Sequence, residues 1–208
     1  LGAPPAHFTF QGKTYTSESF RDQLGLPLDD YVELTSFTHH PYYKPFRLEI
    51  PDNWSQYARY YNLPLGELEQ VMESALKSGY SFVWDGDVSE KDFSQKTLGY
   101  AFLAKSEDQK NVPGLPEAEL EPTAELRQQA FDDFRTTDDH LMHIVGLARD
   151  QAGNRFYLTK NSWGEEPKVG PHKGYVYISR SFMLMKGVAV LVHRKAIPAV
   201  IASKLGLK

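Results

Sequence analysis

Alternating apolar and polar positions predict strands near both ends of the chain. Residues 8–15, FTFQGKTY, alternate around Gly12 and predict a short hairpin. From residue 141 onward, four apolar runs separated by polar or glycine-rich turns predict four further strands: LMHIVGLA, RFYLTK, GYVYIS and VAVLVHR. The C-terminal part of the chain therefore predicts an antiparallel sheet or barrel.

Apolar residues spaced three and four positions apart predict helices before that sheet. The clearest helix is predicted over residues 63–79. Its apolar stripe comprises Leu65, Leu68, Met72, Ala75 and Leu76. Thr16 is expected to cap a short helix that ends at Leu24, before Gly25. Helices first and strands later indicate an α+β fold.

Two segments with weaker sequence signals lie between the long helix and the C-terminal strands. Residues 105–122 are acidic, hold three prolines, and predict a surface excursion or linker. A short amphipathic helix is predicted from about residue 124 to 134. The residues expected on its buried face are Leu126, Ala130, Phe131 and Phe134.

Composition narrows the classes of partner. The 208 residues are 41% hydrophobic, with a net charge of −4, which gives no reason to expect nucleic acid or an anionic membrane as partner. No apolar run approaches the roughly 20 residues that span a bilayer. The chain has no cysteine, so it contains no disulfide, thiolate ligand or thiol nucleophile of its own, which fits a cytoplasmic or a periplasmic location. The first residues, LGAPPAHF, lack the features of a signal peptide. They do not begin with Met, which predicts that the chain is a processed piece of a longer protein.

The hairpin at residues 141–161 carries the candidate chemistry. A five-residue loop centred on Ala152 would place His143 directly opposite Asn161, on the same face of the sheet. The Asn161 amide would then accept a hydrogen bond from one ring nitrogen of His143 and leave the other nitrogen free as a base. A shift of one residue in the pairing would separate the two side chains.

His143 in an apolar strand, KNSWG at residues 160–164 and the strand GYVYISR together resemble the C-terminal half of papain-like cysteine peptidases. In that family a histidine is the general base, an asparagine orients it, and a tryptophan covers the pair. The resemblance assigns these catalytic functions to His143 and Asn161 and the covering function to Trp163. Met142 and Asp87 are the further residues expected at the substrate.

The resemblance narrows to the bleomycin hydrolase and aminopeptidase C branch. The segment YVELTSFTHHPYYKPFRLEIPDNW, at residues 31–54, is similar to one peculiar to that branch. The branch implies a papain-like sheet or barrel lobe with flanking helices, here without the N-terminal half that carries the nucleophile. Residues 1–140 would form helices and extended insertions, and residues 141–196 the antiparallel sheet with the catalytic pair.

Other titratable residues have simpler explanations. Adjacent strand residues diverge, so His39 and His40 are expected to pack or lie at the surface, and no metal site and no cofactor is predicted. Asp85 and Asp87 flank a glycine, which is typical of a turn, although a contact between this turn and the substrate stays open.

The function expected from this resemblance is peptide-bond hydrolysis. The chain would supply the base to a cysteine on a companion N-terminal chain, and its substrate would be a peptide. Aminopeptidase, endopeptidase and dipeptide-releasing modes stay open, as does homo-oligomerisation. The alternative is a catalytically inactive subunit that keeps the fold for peptide binding or assembly.

Overall fold

The structure, a computed structural model, describes residues 3–104 and 119–207. The chain divides into two compact units, one up to Tyr31 and one from Val32 onward. Most of the predicted excursion at residues 105–122 lies outside the described residues.

The first unit confirms the predicted hairpin and helix. Strands β1 (Phe8–Phe10) and β2 (Lys13–Tyr15) pair antiparallel, and helix α1 (Ser17–Leu24) follows. The Thr16 side chain accepts a hydrogen bond from the Ser19 backbone, and the Ser19 side chain accepts one from the Thr16 backbone. Gly25 ends the helix with a φ of 59°, a left-handed conformation that favours glycine.

The second unit is built on a ten-stranded sheet. Its strands in chain order are β3 (Tyr31–Thr35), β4 (Pro45–Phe46), β5 (Tyr60–Asn62), β6 (Phe82–Gly86), β7 (Phe93–Ser94), β8 (Tyr100–Ala101), β9 (His140–Arg149), β10 (Arg155–Lys160), β11 (Tyr175–Ser179) and β12 (Gly187–His193). Their order across the sheet is β4-β5-β3-β12-β6-β9-β10-β11-β8-β7. All four predicted C-terminal strands are present, and β9 and β10 are neighbours as expected.

The sheet differs from the prediction in two respects. It is open and mixed, because β3 pairs parallel with β5 and β11 pairs parallel with β8. Of the predicted alternatives, sheet or barrel, the sheet is therefore confirmed and the barrel is wrong. In the described part of the chain six of its strands precede residue 140, so the sheet is not confined to residues 141–196. The sequence signal for those six strands is weak, since most of them are only two or three residues long.

In the described part of the second unit, four α-helices accompany this sheet. They are α2 (Leu65–Lys77), α3 (Ala124–Asp132), α4 (Arg180–Lys186) and α5 (Ala199–Lys204). The long predicted helix is confirmed as α2, but α4 was not predicted because its apolar residues run directly from β11 into β12. Across residues 3–104 and 119–207, no helix is long and apolar enough to cross a membrane.

The main core lies between the sheet and helices α2 and α4. Helix α2 contacts β9 and β12, and α4 contacts β10 and β11. The largest fully buried side chains in the unit include Trp84, Tyr157, Phe37 and Phe182. Because β9 and β10 form the middle of this packed layer, the side chains at their ends are held by a rigid support.

Helix α3 buries a face that the apolar pattern did not predict. Arg127 and Gln128 are buried beside Ala130, whereas Phe134, expected in the core, is 76% exposed. The Arg127 guanidinium donates hydrogen bonds to the carbonyl oxygens of Ser36 at 2.7 Å, Leu184 at 2.6 Å and Val188 at 3.1 Å. It therefore joins α3 to the end of β3 and to the α4–β12 connection.

Burial lowers the pKa of Arg127 to about 9, which still leaves its guanidinium charged at neutral pH. The ring of Phe37 lies under this cation, with 4.7 Å between Cζ and the ring centroid. The three carbonyl oxygens and the ring together compensate for the loss of hydration.

We predict that Arg127→Met lowers the free energy of unfolding by about 2 kcal/mol or more, because the loss of a donor to a buried carbonyl costs about 1–3 kcal/mol. The Ser36 and Leu184 oxygens lose this donor, whereas the Val188 oxygen keeps the Thr35 hydroxyl. Urea unfolding followed by circular dichroism measures this loss. The matched control is Arg135→Met, which removes an exposed guanidinium and should change stability by less than about 0.5 kcal/mol. Equal effects of the two substitutions would contradict the function assigned to Arg127.

Candidate active site

The pairing of β9 with β10 changes register near the candidate residues. From Arg155 to Leu158 the strands pair as the simple hairpin predicts, and Leu158 lies opposite Gly146. The next residue, Thr159, lies opposite Ile144, so Val145 is an extra residue in a β-bulge. His143 consequently lies opposite Lys160 rather than Asn161, and the predicted facing pair is wrong.

The bulge brings a different histidine to Asn161. His140 Nε2 lies 2.9 Å from Asn161 Oδ1, whereas His143 points to the opposite, exposed face of β9. His140 and Asn161 lie diagonally across the two strands rather than opposite each other, and the long imidazole spans that distance. The expected histidine–asparagine pair therefore exists, and His140 is its histidine.

Two neighbouring hydrogen bonds fix the protonation of His140. Asn161 Oδ1 also accepts from the backbone N–H of Ser162 at 2.7 Å, and Asn161 Nδ2 donates to Gln95 Oε1 at 2.7 Å. Oδ1 is thus an acceptor, so His140 Nε2 must carry the proton that it shares with Asn161. In a neutral imidazole this leaves Nδ1 as a free base.

Gln95 holds the asparagine from the other side. It is 1% exposed, and its Nε2 donates to the backbone oxygen of Val169 at 3.2 Å. Asn161 itself is 4% exposed, and its backbone N–H donates to Gly174. The carboxamide of Asn161 therefore has little freedom to rotate away from His140.

Two aspartates anchor the backbone that leads into His140. Asp87 accepts hydrogen bonds from the backbone of Ser89 at 2.9 Å and of Thr137 at 3.0 Å. Asp139 accepts from the backbone of Val88 at 3.0 Å and from the hydroxyl of Ser89. These contacts tie the turn after β6 to the start of β9, which is where His140 lies.

The three residues expected at the substrate occupy different environments. Trp163 is 40% exposed, and its ring centroid lies 5.5 Å from that of His140, as a covering residue requires. Met142 is 3% exposed within the main core, and Asp87 is 4% exposed with both carboxylate oxygens bonded to backbone. Neither presents surface to a substrate in this chain.

A cleft of about 340 Å³ opens on the exposed face of β9, which is the face opposite to that of His140. Leu141, the neighbour of His140, forms part of its wall. The cleft also contains acidic and aromatic side chains, namely Glu33, Asp52, Asp85, Asp138, Tyr57 and Tyr60. In the described part of the chain, Asp85 Oδ1 and Glu33 Oε2 are buried without a hydrogen-bond partner.

Burial raises the pKa of Asp85 to about 9, and the hydrogen bond and charge of Asp138 act in the same direction. Burial also raises the pKa of Glu33, against a hydrogen bond from Tyr57. At neutral pH the floor of this cleft therefore holds at least one neutral carboxyl group.

The residues missed from the sequence are His140 and Gln95. His140 has no partner under the simple register, which places His143 opposite Asn161 instead. The bulge at Val145 has no signal in a pattern of apolar residues, so the simple register placed the wrong histidine at the site. Gln95 lies 66 positions before Asn161, and nothing in its local sequence indicates this contact.

Comparison with known proteins shows the family and the fold of the chain. The family model described as the peptidase C1-like family matches residues 1–207. The chain is 30% identical over 210 residues to aminopeptidase G of Lactobacillus delbrueckii subsp. lactis, and 29% identical over 214 residues to aminopeptidase E of Lactobacillus helveticus. Each alignment covers 94% of this chain and 45% of the relative. The chain thus spans slightly less than half the length of these relatives.

A similar fold occurs in the crystal structure of PepW from Lactobacillus rhamnosis. The TM-score is 0.69 at 24% sequence identity, over 99% of this chain and 47% of that chain. This agreement supports the papain-like α+β fold expected from the sequence. Of the expected sheet or barrel, the chain forms the sheet, open and mixed, with flanking helices.

The raised pKa of Asp85 predicts that stability falls as pH rises. The folded protein holds a proton on Asp85 that an unfolded chain loses near pH 4, so this stability is fully present below that pH. It should fall by at most about 1.4 kcal/mol per pH unit until the folded carboxyl ionises near pH 9. Urea unfolding at a series of pH values measures the slope.

Asp85→Asn keeps the shape of the neutral carboxyl group and should remove this part of the slope, so that the variant is the more stable protein at pH 8. Asp22→Asn, which changes an exposed carboxylate, is the control and should leave the slope unchanged. Parallel pH profiles for the unsubstituted protein and Asp85→Asn would show that Asp85 is ionised in the fold.

Proposed function

We propose a function on the premise that this chain belongs to the peptidase C1-like family: it supplies the general base and the orienting amide of a cysteine peptidase. The observation that carries the proposal is the hydrogen bond from His140 Nε2 to Asn161 Oδ1, which leaves Nδ1 of His140 free. The chain has no cysteine, so the nucleophile comes from polypeptide outside these 208 residues, as on the companion N-terminal chain expected above.

The free nitrogen of His140 would perform both proton transfers of the reaction. Nδ1 takes the proton of the cysteine thiol, and the thiolate formed attacks the carbonyl carbon of the peptide. The imidazolium then gives this proton to the nitrogen of the leaving amine. Water attacks the resulting thioester with His140 again as base, which releases the acid and restores the thiol.

Asn161 and Trp163 serve this cycle without exchanging protons. The Asn161 oxygen accepts the hydrogen bond from Nε2–H of His140 in every step, which holds the ring plane and stabilises the imidazolium next to a thiolate. Trp163 packs on the His140 ring and excludes water from the hydrogen bond beneath it. Both contacts favour an active enzyme over an inactive peptide-binding subunit, because neither is needed for packing alone.

The names of the relatives indicate the mode of cleavage. The two Lactobacillus proteins are called aminopeptidases, and we propose aminopeptidase action on peptides for the complete enzyme. The acidic cleft lined by Glu33, Asp85 and Asp138 lies on the other face of β9 from His140, so the proposal does not use it.

We predict that His140→Ala lowers kcat/KM of the complete peptidase, that is, this chain together with its cysteine-bearing polypeptide, by about 10²–10⁴-fold, because it removes the proton acceptor. His143→Ala is the matched control: it removes an exposed imidazole three residues away on the other face of β9 and should leave kcat/KM within about twofold. Release of an amino acid from a short fluorogenic peptide measures the rate.

The opposite ranking of the two variants would restore His143 as the base and contradict the geometry described here. If the complete protein hydrolyses no peptide and a thiol alkylator changes nothing, the inactive peptide-binding subunit becomes the better account.

Gln95 is expected to act as a positioning residue. Gln95→Leu removes a hydrogen bond of the Asn161 amide and lets it rotate. We predict a fall in kcat of about 10–100-fold with little change in KM, because the substitution misorients the base and leaves substrate binding unchanged. In the double variant with Asn161→Ala the two losses should not add, because Gln95 acts only through Asn161. Additive losses, or a loss confined to KM, would show that Gln95 acts by another route.

A further inference from the structure

His39 and His40 converge on one carboxylate. His39 Nε2 lies 3.1 Å from Glu49 Oε2, and His40 Nε2 lies 2.9 Å from Glu49 Oε1. The three ligand atoms all lie within 4.8 Å of one another, and within residues 3–104 and 119–207 this is the one such group of three. The expected divergence of the two histidines is wrong, because residues 38–40 form a turn rather than a strand.

We propose that His39, His40 and Glu49 form a divalent metal site that takes Zn²⁺. Two imidazole nitrogens and one carboxylate oxygen are a recurrent ligand set for zinc with one open position for water. Tetrahedral zinc with bonds of about 2.0–2.1 Å places neighbouring ligand atoms about 3.3 Å apart. The two histidines contact different oxygens of Glu49, and the three ligand atoms have to close from at most 4.8 Å to that spacing.

The surroundings fix which nitrogen of His39 is available. Gln128 Nε2 donates to Asp132 at 2.7 Å, so Gln128 Oε1 is an acceptor, and it accepts from the backbone of Thr38 at 2.7 Å. His39 Nδ1 lies 3.0 Å from the same oxygen and must carry a proton. A neutral His39 then directs the lone pair of Nε2 at a Glu49 oxygen, a repulsive contact that a cation between them makes favourable.

The ligands are also held in place before any ion binds. The rings of His39 and His40 lie 4.4 Å apart, and His40 stacks on Phe46 at 4.2 Å. The buried side chain of Asn62 donates to the backbone oxygen of His40 at 2.8 Å and so fixes the turn. Little side-chain freedom remains to be lost on coordination, which favours binding.

The site is open to entry and separate from the catalytic pair. The side chains of His39, His40 and Glu49 are 31%, 28% and 42% exposed, so an ion and its water reach them directly. They flank β4 at one edge of the sheet, five strand positions from β9, or roughly 24 Å at the usual strand spacing. Bound zinc would therefore clamp the turn to the segment after β4 without entering the peptidase reaction.

The test is titration of the chelator-treated protein with Zn²⁺ by isothermal calorimetry, together with Co²⁺ absorption as a report on ligand geometry. We expect one ion per chain, a higher melting temperature with Zn²⁺, and a tetrahedral Co²⁺ spectrum. Glu49→Gln removes the anionic ligand and should weaken Zn²⁺ binding by more than about 100-fold, while Gln128→Leu should weaken it by about 10-fold.

His143→Asn removes an exposed histidine elsewhere and should leave Zn²⁺ affinity unchanged. His40→Asn provides a second ligand variant if Glu49→Gln does not fold. Binding of equal strength in both ligand variants would place the ion elsewhere and overturn the proposal. Absence of binding at one Zn²⁺ per chain would overturn it as well. His39 and His40 would then form hydrogen-bonded ion pairs with Glu49 only.

Discussion

The candidate active site depends on the buried carboxamide of Asn161. Its oxygen accepts from His140 and from the backbone of Ser162, and its nitrogen donates to Gln95. Each of these partners comes from a different part of the chain, so the amide can make all three bonds only when β9, β10 and the segment after β7 are in their native positions. A buried amide that lost one partner would incur a desolvation cost of about 1–3 kcal/mol, which makes this arrangement selective for one packing of the sheet.

Local patterns predicted the elements well, and the site less well. The hairpin at the start, helix α2 and strands β9 to β12 follow from periodicity and capping residues alone. The pairing of His143 with Asn161 failed because one extra residue, Val145, enters the β9 strand, and a single insertion exchanges the two faces of everything beyond it. The histidine–asparagine pair was nevertheless the right chemical expectation, and only the choice of histidine was wrong.

The sequence pattern does not predict long-range polar contacts. Arg127 and Gln128 occupy the buried side of α3 because their partners are backbone and side-chain groups more than 50 positions away, which an apolar stripe does not reveal. Four aspartates near the site illustrate the same limit. Asp87 and Asp139 bind backbone N–H groups. Asp85 instead forms a hydrogen bond with Asp138 in the cleft, although the four residues look alike in sequence.

The base half of the site is complete within this chain. His140 receives its orientation from Asn161, Asn161 from Gln95, and Gln95 from the backbone of Val169, without any group from outside. A sulfur arriving from another polypeptide would therefore meet a fixed Nδ1 rather than induce its position, which reduces the ordering that assembly of the site requires. Trp163 packs against His140 and is 40% exposed, so under the proposed function it offers surface that a substrate or the cysteine-bearing polypeptide would cover.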